Sequence, residues 1–202
     1  MDTSFWPCIG PQADTLVSLG NDEDTVTDSA LNPAAASEFS GVDPAADEVA
    51  RREFRKTLGQ FATGVTVMTG LGPSGERVGL TVNSFNSLSL DPPLILWSIA
   101  KTTAAFKCFQ MSDAFAVNML SAGQESWARQ MAQSATDKFQ GVKIRGGRGG
   151  VPLIEDCVAY FECDVWARYP GGDHDIIVGL VRRTMNTGKA PLLFHDGAFR
   201  SF

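Results

Sequence analysis

Apolar and polar residues alternate in short runs along most of the chain, and such alternation predicts β-strands. The runs GVTVMTG (64–70) and AFAVNML (114–120) show this most clearly. Turn-forming residues separate the runs, as in LGPSGER (71–77) and PGGD (170–173), which are typical of β-hairpins. Further strands are predicted over 78–85, 87–90, 94–99, 157–169, 174–185 and 192–202.

Helical spacing is found in a few segments only. In DEVARREFRKTLGQFATG (47–64), acidic residues come first and basic residues later, as the helix dipole favours. The apolar residues at helical spacing in this segment are Val49, Phe54, Leu58 and Phe61. The segments 101–113 and 123–139 are also predicted to be helices, whereas 143–152 is predicted to be a loop.

The balance of these elements predicts the fold class. Strands dominate, and most of them are joined by turns rather than by helices. We therefore predict a mostly β protein whose antiparallel strands close into a barrel with flanking helices, because closure removes exposed strand edges.

Charge divides the chain into two parts. Residues 1–50 contain ten acidic residues and no Lys or Arg, whereas residues 51–202 carry a net charge of +4. The first segment has too little apolar surface to offset its ordering entropy, so we predict a mostly disordered leader over 1–46 and one domain over 47–202. The mildly basic domain suits an anionic small molecule, and its charge is too low to indicate nucleic acid.

The cysteines and the terminal sequence indicate a cytoplasmic protein with no membrane association. The four cysteines form no CxxC pair, and Cys157 and Cys163 lie about 20 Å apart on one predicted strand, too far for a disulfide. Reduced thiols are therefore expected. The chain has no run of about 20 apolar residues and no secretory signal at its start.

Several chemistries are not supported by the motifs. GLGPSG (70–75) fits the dinucleotide fingerprint, but a strand is predicted after it where that fingerprint requires a helix. The two histidines have no His or Cys partner at ligand spacing, so no metal site is predicted. No nucleophile motif such as G-x-S-x-G occurs.

Three polar segments allow both a functional and a structural interpretation. VGLTVNSFNSLSL (78–90) could bind a flat polar heterocycle or form an edge strand with a polar face. Lys101, Thr102 and Thr103 could bind a phosphate at the start of a helix or could form an ordinary cap. GGRGG (146–150) could touch a phosphate but is more typical of a mobile loop.

His174 lies in GGDHDIIVG (171–179), between two aspartates, after a Gly-Gly turn and before an apolar strand. The glycines let the backbone approach a ligand closely, and the aspartates can bias the tautomer of the imidazole. His174 is therefore a candidate ligand-contacting residue, although a histidine in a surface turn would have the same sequence.

Seven motifs stand together in an order and spacing that resemble the short-chain flavin reductases, the reductase components of two-component flavin-dependent monooxygenases. They are FATGVTVMT, VGLTVNSFNSLSLDPPLILWSI, FAVNML, DKFQGV, CVAYFECDV, GGDHDIIVG and PLLFHDGAF. The likeness is greatest to reductases that serve aromatic hydroxylases of the 4-hydroxyphenylacetate type. It implies a split β-barrel that binds FMN or FAD, uses NADH or NADPH, forms a homodimer and releases reduced flavin to a partner monooxygenase.

The resemblance also implies site residues. The isoalloxazine ring would be lined by Val78, Gly79, Leu80, Thr81, Asn83 and Ser84. The ribityl chain and phosphate would be held by Ser98, Lys101, Thr102 and Thr103. His174 would contact the nicotinamide as the catalytic residue, and Phe194 and His195 in the closing motif would lie near the same site. Met131 departs from the family pattern, which has an aromatic residue there.

The sequence thus predicts an NAD(P)H:flavin oxidoreductase. Two alternatives remain on the same barrel: a non-catalytic flavin-binding or flavin-sensing protein, and a reductase of a non-flavin acceptor such as a corrinoid or ferric complex. The choice between FMN and FAD, between NADH and NADPH, and among partner oxygenases stays open.

Overall fold

The first described helix begins where the sequence predicts. The computed structural model describes residues 41–134 and 137–201. Helix α1 (Glu48–Gly59) starts after Asp47, whose carboxylate accepts a hydrogen bond from the Ala50 amide at 2.8 Å and so caps the helix. The predicted disordered leader over 1–46 lies outside the described residues up to position 40, and residues 43–46 form a turn.

Antiparallel strands are the main secondary structure of the domain. The strands are β1 (Thr63–Gly64), β2 (Thr66–Leu71), β3 (Arg77–Val82), β4 (Asn86–Leu90), β5 (Pro93–Ala100), β6 (Ala114–Met119), β7 (Ile144–Gly146), β8 (Pro152–Ile154), β9 (Ala159–Gly171), β10 (His174–Asn186), β11 (Leu193–His195) and β12 (Ala198–Arg200). The other α-helices are α2 (Phe106–Met111) and α3 (Glu125–Ala132). The prediction of a mostly β fold with flanking helices is confirmed.

A seven-stranded sheet in the order β3-β2-β6-β9-β10-β5-β4 forms the body of the domain. The predicted hairpins are present: LGPSGER joins β2 to β3, and a two-residue turn at Gly172 and Asp173 joins β9 to β10. The GLGPSG run lies in the first of these hairpins, between two strands, and is not a dinucleotide fingerprint. Small sheets of β1-β11-β12 and β7-β8 pack beside the large one.

The large sheet is curved, because its two ends approach each other. Ser84 follows the edge strand β3, yet its hydroxyl accepts a hydrogen bond from the Ser98 amide of β5 at 3.0 Å. The same hydroxyl donates to the Ser98 carbonyl at 3.1 Å. The segment after β3 is thereby joined to the opposite end of the sheet.

Apolar side chains pack on both faces of the sheet. On one face, Trp97 is fully buried and makes edge-to-face contacts with Phe109 of α2 and Phe115 of β6, with ring centroids 5.0 and 5.8 Å apart. On the other face, Val67 and Met131 of α3 belong to a second cluster. Strand β2 is buried along most of its length because it lies between the two.

Three predicted boundaries are wrong; a local hydrogen bond explains one of them, and the backbone conformation of a turn explains another. The helix predicted over 101–113 begins only at Phe106, because the Thr103 hydroxyl bonds to the Ala100 carbonyl and holds a turn there. The closing strand predicted over 192–202 is a hairpin, since Asp196 and Gly197 both have positive φ. The predicted helix over 123–139 ends at Ala132.

The predicted loop over 143–152 also holds more order than expected. It contains β7, a single 3₁₀ turn at Arg148–Gly150 and the start of β8. Gly149 and Gly150 adopt positive φ in this turn, which glycine permits at little cost.

The cysteines within the described residues are free thiols. Cys108, Cys157 and Cys163 are all buried and unbridged, as the sequence predicts. Burial raises the pKa of the Cys157 and Cys163 thiols to about 12, so both stay protonated near neutral pH. No helix in residues 41–134 or 137–201 is long and apolar enough to cross a bilayer.

One buried amide connects three strands. Asn118 of β6 is fully buried; its Nδ2 donates to the Val67 carbonyl and to the Thr69 hydroxyl, both at 3.0 Å. Its Oδ1 accepts from the Ile154 amide of β8 at 2.8 Å. Each of these bonds satisfies a polar group that has no access to water.

We expect Asn118→Ala to lower the free energy of unfolding by about 2–4 kcal/mol, because it leaves buried backbone groups unpaired and opens a small cavity. Urea denaturation of both proteins measures the difference. Asn86→Ala, on the exposed face of β4, is the matched control and should change stability by less than about 0.5 kcal/mol. Equal losses for both variants would show that the buried amide has no special role.

Candidate active site

Lys101 and His174 lie 73 positions apart in the chain but meet at one edge of the sheet. His174 at the start of β10 pairs with Ala100 at the end of β5. The Lys101 ammonium donates to the Gly172 carbonyl at 2.7 Å, and its backbone amide donates to the Asp173 carbonyl at 3.0 Å. The turn that carries His174 is thus fixed to the loop that follows β5.

The imidazole of His174 is oriented by its neighbour. Its Nδ1 lies 2.7 Å from Oδ1 of Asp173, and the hydrogen bond to His174 lowers the pKa of that carboxyl group. The side chain of His174 is 42% exposed. Because a carboxylate accepts only, Nδ1 carries the proton, and Nε2 of the neutral ring is then an acceptor.

Thr81, Asn83 and Phe194 line one cavity of about 220 Å³ beside the β11-β12 hairpin. The Thr81 hydroxyl donates to the Ala128 carbonyl of α3 at 2.7 Å, which ties the strand to that helix. Phe194 packs edge-to-face on Phe199 with centroids 5.4 Å apart. Asn83 is exposed at the mouth. The walls are therefore aromatic and aliphatic, with polar groups at the rim.

Val78 and Gly79 line a second, larger cavity of about 450 Å³ between β3 and α2. A Cβ at Gly79 would lie 2.7 Å from the Met131 sulfur and 3.2 Å from the Phe139 ring, so glycine lets α3 and the segment after it pack closely. Leu80 points into the core and is 9% exposed. Five of the six predicted ring-lining residues therefore divide between two cavities and the core, and the sixth, Ser84, bonds to Ser98.

Three cationic side chains line the larger cavity: Arg77, Lys107 and Lys138. Lys138 already makes two hydrogen bonds within the protein: its ammonium donates to the carbonyls of Gly79 at 3.2 Å and Met131 at 2.9 Å. Burial lowers the pKa of this amine. Glu76 is the acidic residue of the lining, so the cavity has a net positive charge.

The predicted phosphate-binding loop lacks the helix terminus that was expected. Two residues separate Lys101–Thr103 from helix α2: Ala104 and Ala105, which line the cationic cavity, precede Phe106, the first helical residue. Thr102 is exposed and Thr103 is half-buried. A phosphate here would meet side chains rather than the free amides of a helix end.

Arg148 of the GGRGG segment bonds to two acidic residues of β9. Its guanidinium pairs with Asp164 of β9, and its backbone amide bonds to the Glu162 carboxylate. The hydrogen bond from Arg148 lowers the pKa of Asp164. Among the described residues, no group of three His, Cys, Asp or Glu side chains is arranged to hold a metal ion.

Residues 58–202 match the flavin reductase-like domain family. The chain belongs to this family. It is 43% identical over 151 residues to the FMN reductase (NADH) SmoA of Agrobacterium fabrum, covering 75% of this chain and 86% of that protein. It is 36% identical over 151 residues to the reductase subunit HsaB of a flavin-dependent monooxygenase of Mycobacterium tuberculosis, covering 73% and 80%.

Solved structures of flavin reductases have the same fold. The NADH:FAD oxidoreductase of Streptomyces globisporus, solved with NAD and FAD fragments, superposes with a TM-score of 0.74 at 40% identity, covering 81% of this chain and 97% of that one. Some relatives are longer: the chain covers 48% of a probable flavin reductase of Rhizobium meliloti. The sequence prediction of a flavin reductase is confirmed at the level of family and fold.

The sequence did not identify every candidate residue of this flavin reductase. Arg77 and Lys107 carry no distinguishing signal in the sequence, because each is one cation among many until β3 and α2 face each other. Lys138 belongs to DKFQGV, a motif that carried the resemblance without an assigned role. His195 lies on β11 beside Phe194 but does not line the cavity that Phe194 shares with Thr81 and Asn83.

Proposed function

We propose that the protein oxidises NADH (or NADPH) and passes the hydride to FMN or FAD, and that the reduced flavin leaves for a flavin-dependent monooxygenase. One observation carries this proposal: the turn bearing His174 is bonded to Lys101. The imidazole proposed to contact the nicotinamide and the ammonium proposed to contact the phosphate therefore lie at the same edge of the sheet. The family of the chain supports the reaction type.

The residues present fit a flavin. Its flat ring system requires an apolar slot with polar groups at the rim, which the cavity of Val82, Phe194 and Phe199 offers next to Asn83. Its phosphate requires cations, and Arg77 and Lys107 line the cationic cavity. Lys101 lies three positions before Ala104, which lines the same cavity. We therefore place the ring beside β11-β12 and the phosphate beside α2.

The flavin, when bound, supplies the hydride-accepting chemistry, and no side chain has to act as an acid. The protein has to hold two flat rings in contact and exclude water. We assign His174 to orient the nicotinamide: with Nδ1 fixed by Asp173, Nε2 can accept from the carboxamide. Ser98 and the backbone after β3 are held rigidly by Ser84 and form the polar border.

We also propose the assembly and location that the resemblance implies. Val49, Leu58 and Phe61 are 73%, 57% and 76% exposed, and such an apolar surface on and just after α1 suits the interface of a homodimer. A monomer at micromolar concentration in sedimentation equilibrium would contradict this.

We propose that the curved sheet is a split barrel and that the protein acts in the cytoplasm, where NADH is regenerated.

The proposed reaction is tested by following NADH absorbance with and without added FMN or FAD. We expect oxidation that depends on flavin and saturates with both substrates. A flavin-sensing protein would bind flavin without oxidising NADH. A reductase of another acceptor would oxidise NADH only when a corrinoid or ferric complex is present, and either result would reject the proposal.

We expect His174→Ala to lower kcat/KM for NADH by roughly 5- to 150-fold, because one polar contact worth about 1–3 kcal/mol is lost. The dissociation constant of flavin should change less than about twofold, since the proposed flavin contacts lie elsewhere. Steady-state kinetics and flavin fluorescence measure the two quantities. If flavin binding weakened and NADH kinetics did not change, His174 would be a flavin-side residue.

We expect Lys107→Ala and Arg77→Ala each to raise the flavin dissociation constant about fivefold at low salt, because an exposed charge contact with phosphate is worth about 1 kcal/mol. The effect should shrink as salt is added. Lys56→Ala on α1 is the matched control and should have no effect. Equal flavin binding by all four proteins would place the phosphate outside this cavity.

A further inference from the structure

Helix α2 is held to the β9-β10 hairpin at its C-terminal end. Six residues are too few for a stable isolated helix, so tertiary bonds must hold it. The Arg168 guanidinium of β9 donates to the carbonyls of Phe109 at 2.9 Å and Ser112 at 2.6 Å. The Gln110 side chain donates to Oδ2 of Asp175 in β10 at 2.8 Å.

Asp175 also faces the loop after β5. Its Oδ1 lies 3.4 Å from the Lys101 ammonium, and its side chain is only 17% exposed. Lys101 in turn bonds to the Gly172 carbonyl. Gln110, Asp175 and Lys101 therefore form a bracket that runs from α2, through β10, to the end of β5, and we call these three side chains the turn bracket.

The turn bracket acts from the side of the strand opposite to the imidazole. Consecutive side chains of a strand point to opposite faces, so Asp175 and His174 diverge. A ligand on the face of His174 is therefore out of reach of Asp175 and Gln110. Their effect on such a ligand must pass through the position of the strand.

We propose that Asp175, oriented by Gln110, is a positioning residue that fixes the His174 turn for NADH. The proposal rests on the proposed function of the site. Without the bracket, the turn keeps its backbone bonds to Lys101 and Ala100 but loses the side-chain bonds that fix its approach to α2. NADH then has to order the turn as it binds.

The test is a double-mutant cycle of Gln110→Ala and Asp175→Ala, with NADH varied at saturating flavin. Loss of one hydrogen bond of ordinary strength changes an equilibrium about fivefold. We expect the KM for NADH at saturating flavin to rise about fivefold for Gln110→Ala and about tenfold for Asp175→Ala, with kcat within about twofold. Gln110→Ala should add nothing once Asp175 is Ala. Additive effects, or an unchanged KM, would overturn the proposal.

Two further variants separate positioning from general stability. Asp175→Asn keeps an oxygen for Gln110 and should restore the KM for NADH to within about threefold of the original. Arg182→Gln breaks an ion pair with Asp164 on the same two strands and should leave that KM unchanged. A rise in KM for Arg182→Gln equal to that of Gln110→Ala would mean that any weakening of the hairpin suffices.

Hydrogen exchange distinguishes failure of this proposal from failure of the proposed function. If the original protein does not oxidise NADH with flavin, the proposed function fails, and with it the NADH half of the proposal. The exchange rate of the Lys101 amide, which donates to the Asp173 carbonyl, reports on the bracket independently of any activity. Its exchange should be several times faster in Gln110→Ala, and an unchanged rate would show that the bracket does not hold the turn.

Discussion

The candidate site depends on the hydrogen bonds between Ser84 and Ser98, which join the two ends of the curved sheet. In the order of the sheet, β3 and β5 are five positions apart, which in a flat sheet would separate them by about 24 Å. The Ser84 hydroxyl instead lies 3.0 Å from the Ser98 amide. Curvature thus brings the polar segment after β3 beside the loop that holds Lys101 and the turn that holds His174.

The curvature of the sheet also requires a residue without a side chain in the middle of β10. A Cβ at Gly179 would lie 2.5 Å from the Phe115 ring and 3.0 Å from Cβ of Cys163, so a side chain there would push β10 away from β6 and β9. The pairing of β9 and β10 shifts register between Val178 and Gly179. A bulge at a glycine bends a strand, and this bend lies only five residues from His174.

Local sequence patterns predicted the features of the fold that depend on interactions between neighbouring residues. Alternation located the long strands, Asp47 marked the start of α1, and the glycines before His174 marked a hairpin. The helix expected at Lys101 begins only at Phe106, because the Thr103 hydroxyl holds a turn with the Ala100 carbonyl and the Lys101 amide bonds to Asp173, far away in sequence. The Asp-Gly pair at 196–197 was a visible turn signal within an apparent strand, and it forms the β11-β12 hairpin. Arg77 and Lys107 could not be grouped without knowing that β3 faces α2.

The candidate site is built largely from groups whose hydrogen bonds are already made within the protein. Thr81 bonds to α3, Ser84 bonds to Ser98, and Lys101 bonds to Gly172. Such groups are rigid before a ligand arrives, so little ordering entropy is lost on binding. They also have few bonds left to offer, which limits affinity. For an enzyme proposed to release its reduced flavin, rigid placement with modest affinity is the useful combination, since tight binding of substrate and product alike would slow turnover without lowering the barrier.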